Sequence, residues 1–519
     1  MHLATIDLWV VGAYALMLLI LAQWVSREKA GHQKDTGDYF LAGRALPWWA
    51  IGASLIAANI SAEQIIGMSG SAYVMGIAIA SYEWMSALTL IIVGKYLLPV
   101  FLKHGIYTMP QFLEQRYDSR VRTVLAVFWL GVYVFVNLTS ILWLGALAIH
   151  TVTGMDQVVA IGLLAAFAAA YSLYGGLKAV ALTDIIQVVL LVFGGLLIAY
   201  IAMNEISGGS GAWAGFKHVL EVAPEKFDMI FEPDSPHYKH LPGISVLVGG
   251  MWIMNLSYWG FNQYIIQRAL AAKSNAEAQR GIVFAAFLKM LMPVLVVLPG
   301  IAAVILAPDL TSNDQAYPAV MTLLPVGIMG LVFAALIAAI VSSLASMTNS
   351  IATIFTMDIV ARSGEKSESQ LVTIGRAVSL SSLIIAALIA KPLLGNFDQA
   401  FQYIQEFTGF FTPGIVAIFL LAFFWKKTTA NAALAAAISS AVFSVLAKLY
   451  WPALPFMDRV GIAFVLCMLI GMAVSRIGGN EDHPKAIDYA DVNTTTSAGF
   501  NWASVVIIIM LGGIYAAWW

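Results

Sequence analysis

Runs of about 20 apolar residues, the length that crosses the hydrocarbon core of a bilayer, recur along the whole chain. They fall at residues 8–26, 48–70, 76–98, 121–149, 158–174, 179–203, 244–267, 278–306, 326–361, 372–390, 398–425, 430–449, 460–475 and 502–519. Little chain remains for anything but spans and connectors. The expectation is an all-α integral membrane protein of about fourteen transmembrane helices, a single polytopic unit over residues 1–519. Composition agrees, with 60% of residues hydrophobic and 11% charged, against roughly 25% charged in a soluble domain. A net charge of −2 offers no basic surface for nucleic acid. Cys467 is the only cysteine, which excludes an intrachain disulfide and cysteine-based metal or redox motifs. The first run lacks a positive leader and a small-residue cleavage site, and Arg27 and Lys29 follow it, so a retained helix is expected.

Lysine and arginine set the orientation. One set of connectors holds Arg27, Lys29, Lys34, Arg44, Lys95, Lys103, Arg116, Arg120, Arg122, Lys178, Arg268, Lys273, Arg280, Arg362, Lys366, Arg376, Lys426, Lys427, Arg476 and Lys485. The other holds only Lys217, Lys226, Lys239, Lys391, Lys448 and Arg459. The first set is expected to be cytoplasmic, which places both termini outside. A short interfacial helix is expected within 105–117, and helical spacing recurs at 213–222 inside the longest outer connector, 204–241.

Polar residues inside the spans carry the chemistry. Residues 50–98 hold Asn59, Glu63, Gln64, Glu83 and Ser86 in an otherwise apolar stretch, and a carboxylate at the bilayer centre costs at least ~2.5 kcal/mol on insertion scales. Two spans have polar, interrupted middles, at 57–64 and 255–263. Backbone that leaves the helix in a bilayer must find partners in a cavity or an ion. Five spans separate the two, the spacing that two inverted five-helix repeats produce, with sites where the breaks meet. Ser342, Ser346 and Asn349 share a helix face by their spacing; this seam reads either as small-residue packing or, with opened carbonyls near Ala57 and Ile60, as a hard-cation site. Glu83 and Lys289 read either as a structural ion pair or as the walls of a polar pocket whose ligand bridges them. Amides at Gln64, Asn255 and Gln405 offer donor and acceptor together, which suits a polyol. Tyr258 supplies a flat face for a sugar ring or simple packing. Asp184 reads as an interfacial charge or as part of an ion exit route. No nucleophile, base and orienting group recur together, so no enzyme is expected.

The stretches YFLAGRALPWWAIGASLIAANISAEQIIGMSGS, ASYEWMSALTLIIVGKY, YSLYGGLKAV, YWGFNQYIIQRALAAKS, FAALIAAIVSSLASMTNS and AFQYIQEFTG closely resemble the solute:sodium symporter family, and within it the bacterial sodium/galactose (sodium/glucose) cotransporters. The resemblance covers nearly the whole length. It implies a leucine-transporter-like core of two inverted repeats, 47–203 and 243–426, with discontinuous first and sixth core helices. One additional helix at 8–26 precedes the core, and three C-terminal helices at 428–519 follow it. It implies sodium ligands at the carbonyls of Ala57, Ile60 and Ala339 and the hydroxyls of Ser342 and Ser343. Sugar contacts would be Gln64, Glu83, Ser86, Asn255, Lys289 and Gln405. Tyr258 with Trp259 would form the inner gate, Met68, Tyr82 and Phe401 the outer lid, and Asp184 would lie on the sodium release route. Ser257 departs from the pattern, standing where relatives carry a second tyrosine.

The resulting expectation is sodium-coupled import of a hexose, galactose or glucose, across the inner membrane by alternating access. The partners are Na⁺, the sugar and the lipid bilayer, and the chain acts as a monomer or homodimer. Rival readings are a symporter for another solute, such as myo-inositol or sialic acid, and a sugar sensor or sodium-leak protein. No soluble output segment follows the last span, which counts against a sensor.

Overall fold

The computed structural model describes residues 3–25, 35–172, 176–362, 364–395, 400–479 and 481–519. Arg27, Lys29 and Lys34 of the charge count, residues 173–175 of the YSLYGGLKAV stretch and the first residues of the run at 398–425 lie outside them. Apart from one isolated bridge between Leu46 and Ala272, the regular structure among the described residues is helical.

Helices α1 (Thr5–Val25) and α2 (Thr36–Leu41) lead into α3 (Trp48–Asn59), which stops at Ile60. A π-turn at Glu63–Gly67 restarts the rod as α4 (Met68–Met75). Beyond Gly76 come α5 (Ser81–Ile92) and α6 (Leu98–His104), joined by a π-turn at Val93–Leu97. The Thr108 hydroxyl accepts from the Gln111 N–H at 3.1 Å and starts α7 (Met109–Arg116), the short helix expected at 105–117. The Asp118 carboxylate likewise accepts from the N–H groups of Arg120 and Val121 and starts α8 (Ser119–Val132), which continues into α9 (Thr139–Thr153). After α10 (Gln157–Ser172) and α11 (Gly176–Ile206), the long connector holds α12 (Ala212–Val222), close to the expected 213–222.

The second interruption runs through α13 (Ser245–Val248), α14 (Gly250–Leu256) and a π-turn at Ser257–Phe261. It breaks at Asn262, whose φ of −81° and ψ of 120° are extended, before α15 (Gln263–Leu270) resumes. α16 (Asn275–Leu306) carries Pro293 and Pro299 in its interior, where the missing N–H and the ring bulk bend a helix. α17 (Ala316–Met321), α18 (Ile328–Ile354) and α19 (Glu368–Leu394) follow. A third interruption separates α20 (Ala400–Thr408) from α21 (Thr412–Phe424), and α22 (Ala430–Tyr450), α23 (Phe456–Ile477) and α24 (Ala498–Ala517) complete the order.

Among the described residues, 10 helical stretches are long and apolar enough to cross a membrane, and two shorter apolar helices lie at Gln157–Tyr171 and Thr412–Phe424. The tally differs from about fourteen for a physical reason. The runs broken at Ile60 and at Asn262 are divided into pieces too short to cross alone, while Glu63–His104 joins parts of two expected spans into one 42-residue stretch. Burial then sorts centre from rim: 83% of the apolar window of α18 is buried, against 22% for α1 and 17% for α24. The outlying α1 is nonetheless tied to the centre. The Asp7 carboxylate accepts the Gly327 and Gly330 N–H groups, at 2.6 and 2.8 Å, at the start of α18.

The helix carrying the first break crosses α16 at a pair of glycines. A Cβ on Gly52 would lie 2.7 Å from the Gly281 carbonyl oxygen and 2.5 Å from the Phe284 ring, and one on Gly281 would lie 2.8 Å from the Trp48 carbonyl oxygen. Backbones approach this closely only where side chains are absent. Gly52→Leu or Gly281→Leu is expected to destabilise the protein by about 1–3 kcal/mol, read as a lowered thermal midpoint of the purified transporter. Gly162→Leu, at a position with nothing within 4 Å, leaves the midpoint unchanged.

Candidate substrate and ion site

The break after α3 is a hydrogen-bond exchange. In a continuous helix the Ser61 N–H would bond to the Ala57 carbonyl and the Gln64 N–H to the Ile60 carbonyl. Here Ser61 N–H donates to Asn59 O at 2.7 Å, and Gln64 N–H donates to Ser61 O at 3.1 Å. The carbonyls of Ala57 and Ile60 are thereby released from the helical ladder. The neighbouring Ala58 carbonyl accepts the Ser343 hydroxyl at 3.1 Å, which brings α18 against the break. Ser342 donates to the Asp184 carboxylate. Ala57, Ile60, Ala339, Ser342 and Ser343 are all buried. Carbonyls and hydroxyls are oxygen donors, the atom type that a hard cation such as sodium prefers.

Asp184 is fully buried among protein groups. Ser54 donates to its second oxygen at 2.6 Å and in turn accepts from Arg268 Nε at 2.9 Å. Arg268, counted from the sequence among the connector cations, lies wholly inside the protein and also donates to the Ser346 hydroxyl and the Tyr264 carbonyl. The helix that carries it, α15, runs to Leu270, past the end at 267 that hydropathy suggests.

A second polar network lies beside the break. Glu83, on α5, takes a hydrogen bond from Gln64 on one oxygen and from the Lys289 ammonium, at 2.5 Å, on the other. Both members of this ion pair are within 2% of complete side-chain burial. Lys289 also donates to the Asn59 side-chain carbonyl and lies 4.9 Å from the centre of the Trp259 ring. The Asn59 amide donates to the Tyr258 hydroxyl at 3.0 Å, and that hydroxyl shares a short bond with Tyr264. Ser86 donates to Asn255 at 2.6 Å. The six residues expected to contact solute therefore divide: Gln64, Glu83 and Lys289 are directly connected, Ser86 and Asn255 form a separate pair, and Gln405 stands apart from both. Gln405 instead lines a cleft of about 70 Å³ with Glu63, Ser257, Tyr258, Asn262 and Thr408, room for a few water molecules. Glu63 accepts from the Ser140 hydroxyl, a supporting bond at the break.

Of the three residues expected to form the outer lid, Tyr82 and Phe401 meet edge to face at 5.2 Å, and Met68 is buried in the same hydrophobic core. Sequence reading did not identify Asn59, Tyr264 or Arg268 as network members. A polar residue repeated on the same face as a known pocket residue is the available signal, and Tyr264, six residues past Tyr258 across a break, gives none.

A family model described as the sodium:solute symporter family matches residues 39–439. The chain is 52% identical to a sodium/glucose cotransporter of Vibrio parahaemolyticus over 100% of this chain and 99% of that protein. It is 33% identical to the mouse sodium/myo-inositol cotransporter 2 over 82% of this chain and 67% of that one. Its structure resembles that of a Na⁺-coupled sialic acid symporter in a substrate-bound outward-open state, with a TM-score of 0.80 and 25% identity over 91% of this chain and 98% of that chain. The chain belongs to the sodium:solute symporter family: it is a multi-pass membrane transporter, not an enzyme, and sodium is its coupling ion.

Proposed function

We propose that the solute is a hexose, galactose or glucose, imported with Na⁺ across the cytoplasmic membrane. The observation that carries this reading is the closed set of amide, carboxylate and ammonium groups made by Gln64, Glu83, Lys289 and Asn59. A ligand entering it must replace each bond it breaks. A polyol does so with hydroxyls that both donate and accept, bridging Glu83 and Lys289 without adding charge. An anion would meet a lysine already neutralised by Glu83, and the nearby Arg268 is committed to Ser54 and Ser346. The full-length similarity to a sodium/glucose cotransporter supports the same choice over myo-inositol.

In this reading the broken helices complete fourteen spans, with repeats at 47–203 and 243–426, a helix at 8–26 before them, three at 428–519 after them, and both termini extracytoplasmic. Sodium sits among the carbonyls of Ala57, Ile60 and Ala339 and the hydroxyls of Ser342 and Ser343, and Asp184 receives it on release. Ser86, Asn255 and Gln405 join the sugar contacts when the pocket opens, between the lid of Met68, Tyr82 and Phe401 and the gate of Tyr258 and Trp259. Sodium favours the ordered break, and the break carries Asn59 and Gln64, so coupling is differential binding to two states. One charge moving through ~100 mV supplies roughly 2.3 kcal/mol, and a tenfold sodium gradient adds ~1.4 kcal/mol. A one-to-one cycle therefore concentrates sugar on the order of several hundred-fold.

Counterflow of labelled galactose against glucose, galactose, myo-inositol and sialic acid tests the solute. Competition by the two hexoses, in Na⁺ and not in K⁺, is expected; stronger competition by either other solute overturns the hexose reading. Glu83→Ala is expected to reduce uptake into proteoliposomes about a hundredfold, the loss of a charge-assisted hydrogen bond and its partner, and Gln405→Ala about tenfold, the loss of one neutral hydrogen bond to the solute. Normal uptake by both removes the pocket assignment. Ser343→Ala is expected to raise the sodium concentration for half-maximal uptake about tenfold while leaving uptake at saturating sodium near that of the parent. An unchanged sodium dependence would put the ion elsewhere.

A further inference from the structure

The connector between α11 and α13 reaches back to the end of α4. Its 3₁₀ turn at Pro224–Phe227 carries Lys226, whose ammonium donates to the carbonyls of Tyr73 and Val74 at 3.0 and 2.8 Å. Those carbonyls belong to the last turn of α4, where intrahelical donors run out and the helix dipole leaves partial negative charge. Among the described residues no carboxylate forms a salt bridge with Lys226, so its charge is directed to the helix end.

The contact is tight as well as charged. Gly76, immediately after α4, has a φ of +69°, and a Cβ there would lie 2.2 Å from the Lys226 carbonyl oxygen. Gly76 is also the hinge between two lid-bearing helices. Met68 lies at the start of α4, and Tyr82 lies in the first turn of α5.

The connector itself is anchored to other parts of the molecule. Gly215 of α12 packs against the Met203 backbone of α11 so closely that a Cβ would fall 1.7 Å from its carbonyl oxygen. Met229 N–H donates to Trp518 O at 3.0 Å, just beyond α24. Phe227 packs between Phe216 and Trp518, with ring centres 5.6 and 6.4 Å away. The connector is therefore a strap fixed to α11 and α24, with one charged side chain placed at the end of α4.

We propose, resting on the lid assignment made above, that Lys226 is a positioning residue for transport: through the two carbonyls at the end of α4 it holds the chain at Gly76 and so keeps Tyr82 closed against Phe401. The inference is independent of which solute is carried.

The test uses the full chain, purified in detergent, with Cys467→Ala removing the only cysteine. Ser71→Cys places a reporter in α4, at a buried position between the lid and the strap. Ser444→Cys, equally buried in α22, is the reference for general loosening. Lys226→Met keeps the aliphatic stem and removes the charge. It is expected to raise the maleimide labelling rate at position 71 about tenfold, with the rate at 444 unchanged within about twofold. Lys226→Arg restores the donors and is expected to hold the parent rate at 71. Equal rates at 71 in Lys226→Met and the parent overturn the proposal, as does a parallel rise at 71 and 444, or a rise that Lys226→Arg shares. If Lys226→Met does not elute as a folded species, Lys226→Gln replaces it with the same expectations and the same overturning results.

Discussion

A backbone carbonyl inside a bilayer has no water to fall back on, and the structure depends on how that constraint is met at Ala57 and Ile60. Their helical donors, the Ser61 and Gln64 N–H groups, turn to Asn59 and Ser61 instead. Unpaired carbonyls cost several kcal/mol each in hydrocarbon, so a break is tolerable only where protein or a bound ion supplies the missing partner. The surrounding architecture follows from that need. α18, the most deeply buried long helix, presents hydroxyls to the break, and the Gly52–Gly281 crossing brings α16 close enough for Lys289 to bond with Asn59.

One residue stands between the two polar systems. Asn59 is the last residue of α3, its backbone carbonyl takes the Ser61 N–H, and its side chain joins Lys289 to Tyr258. On the assignments proposed above, an ion that orders the backbone at the break also sets the position of the Asn59 amide. Coupling of this kind needs no long pathway through the protein, because the proposed ion carbonyls of Ala57 and Ile60 lie within one turn of Asn59.

Much of this was legible in the sequence, and the remainder was hidden for identifiable reasons. The interruptions near 57–64 and 255–263 announced themselves by small and polar residues in apolar runs, as did the serine seam of α18 and the short helix α7. Arg268 was misplaced because cations near the end of an apolar run usually mark water, and only the packed structure shows that Ser54, Ser346 and Tyr264 O replace it. The Asn59–Tyr258 bond joins residues 199 positions apart, a distance over which hydropathy carries no information. Gln405 shares its residue type with Gln64 but lines the cleft beside Glu63 and Tyr258, a placement that its own segment, α20, does not announce.

The Glu83–Lys289 pair has an electrical consequence. Its two charges are opposite, mutually bonded and shut away from water, so the proposed solute pocket presents no net charge to what enters it. A neutral solute occupying it leaves that balance intact. With the neutral hexose proposed above, the current carried per turnover counts sodium ions alone, and the charge moved per sugar imported across a voltage-clamped membrane reads the ion stoichiometry directly.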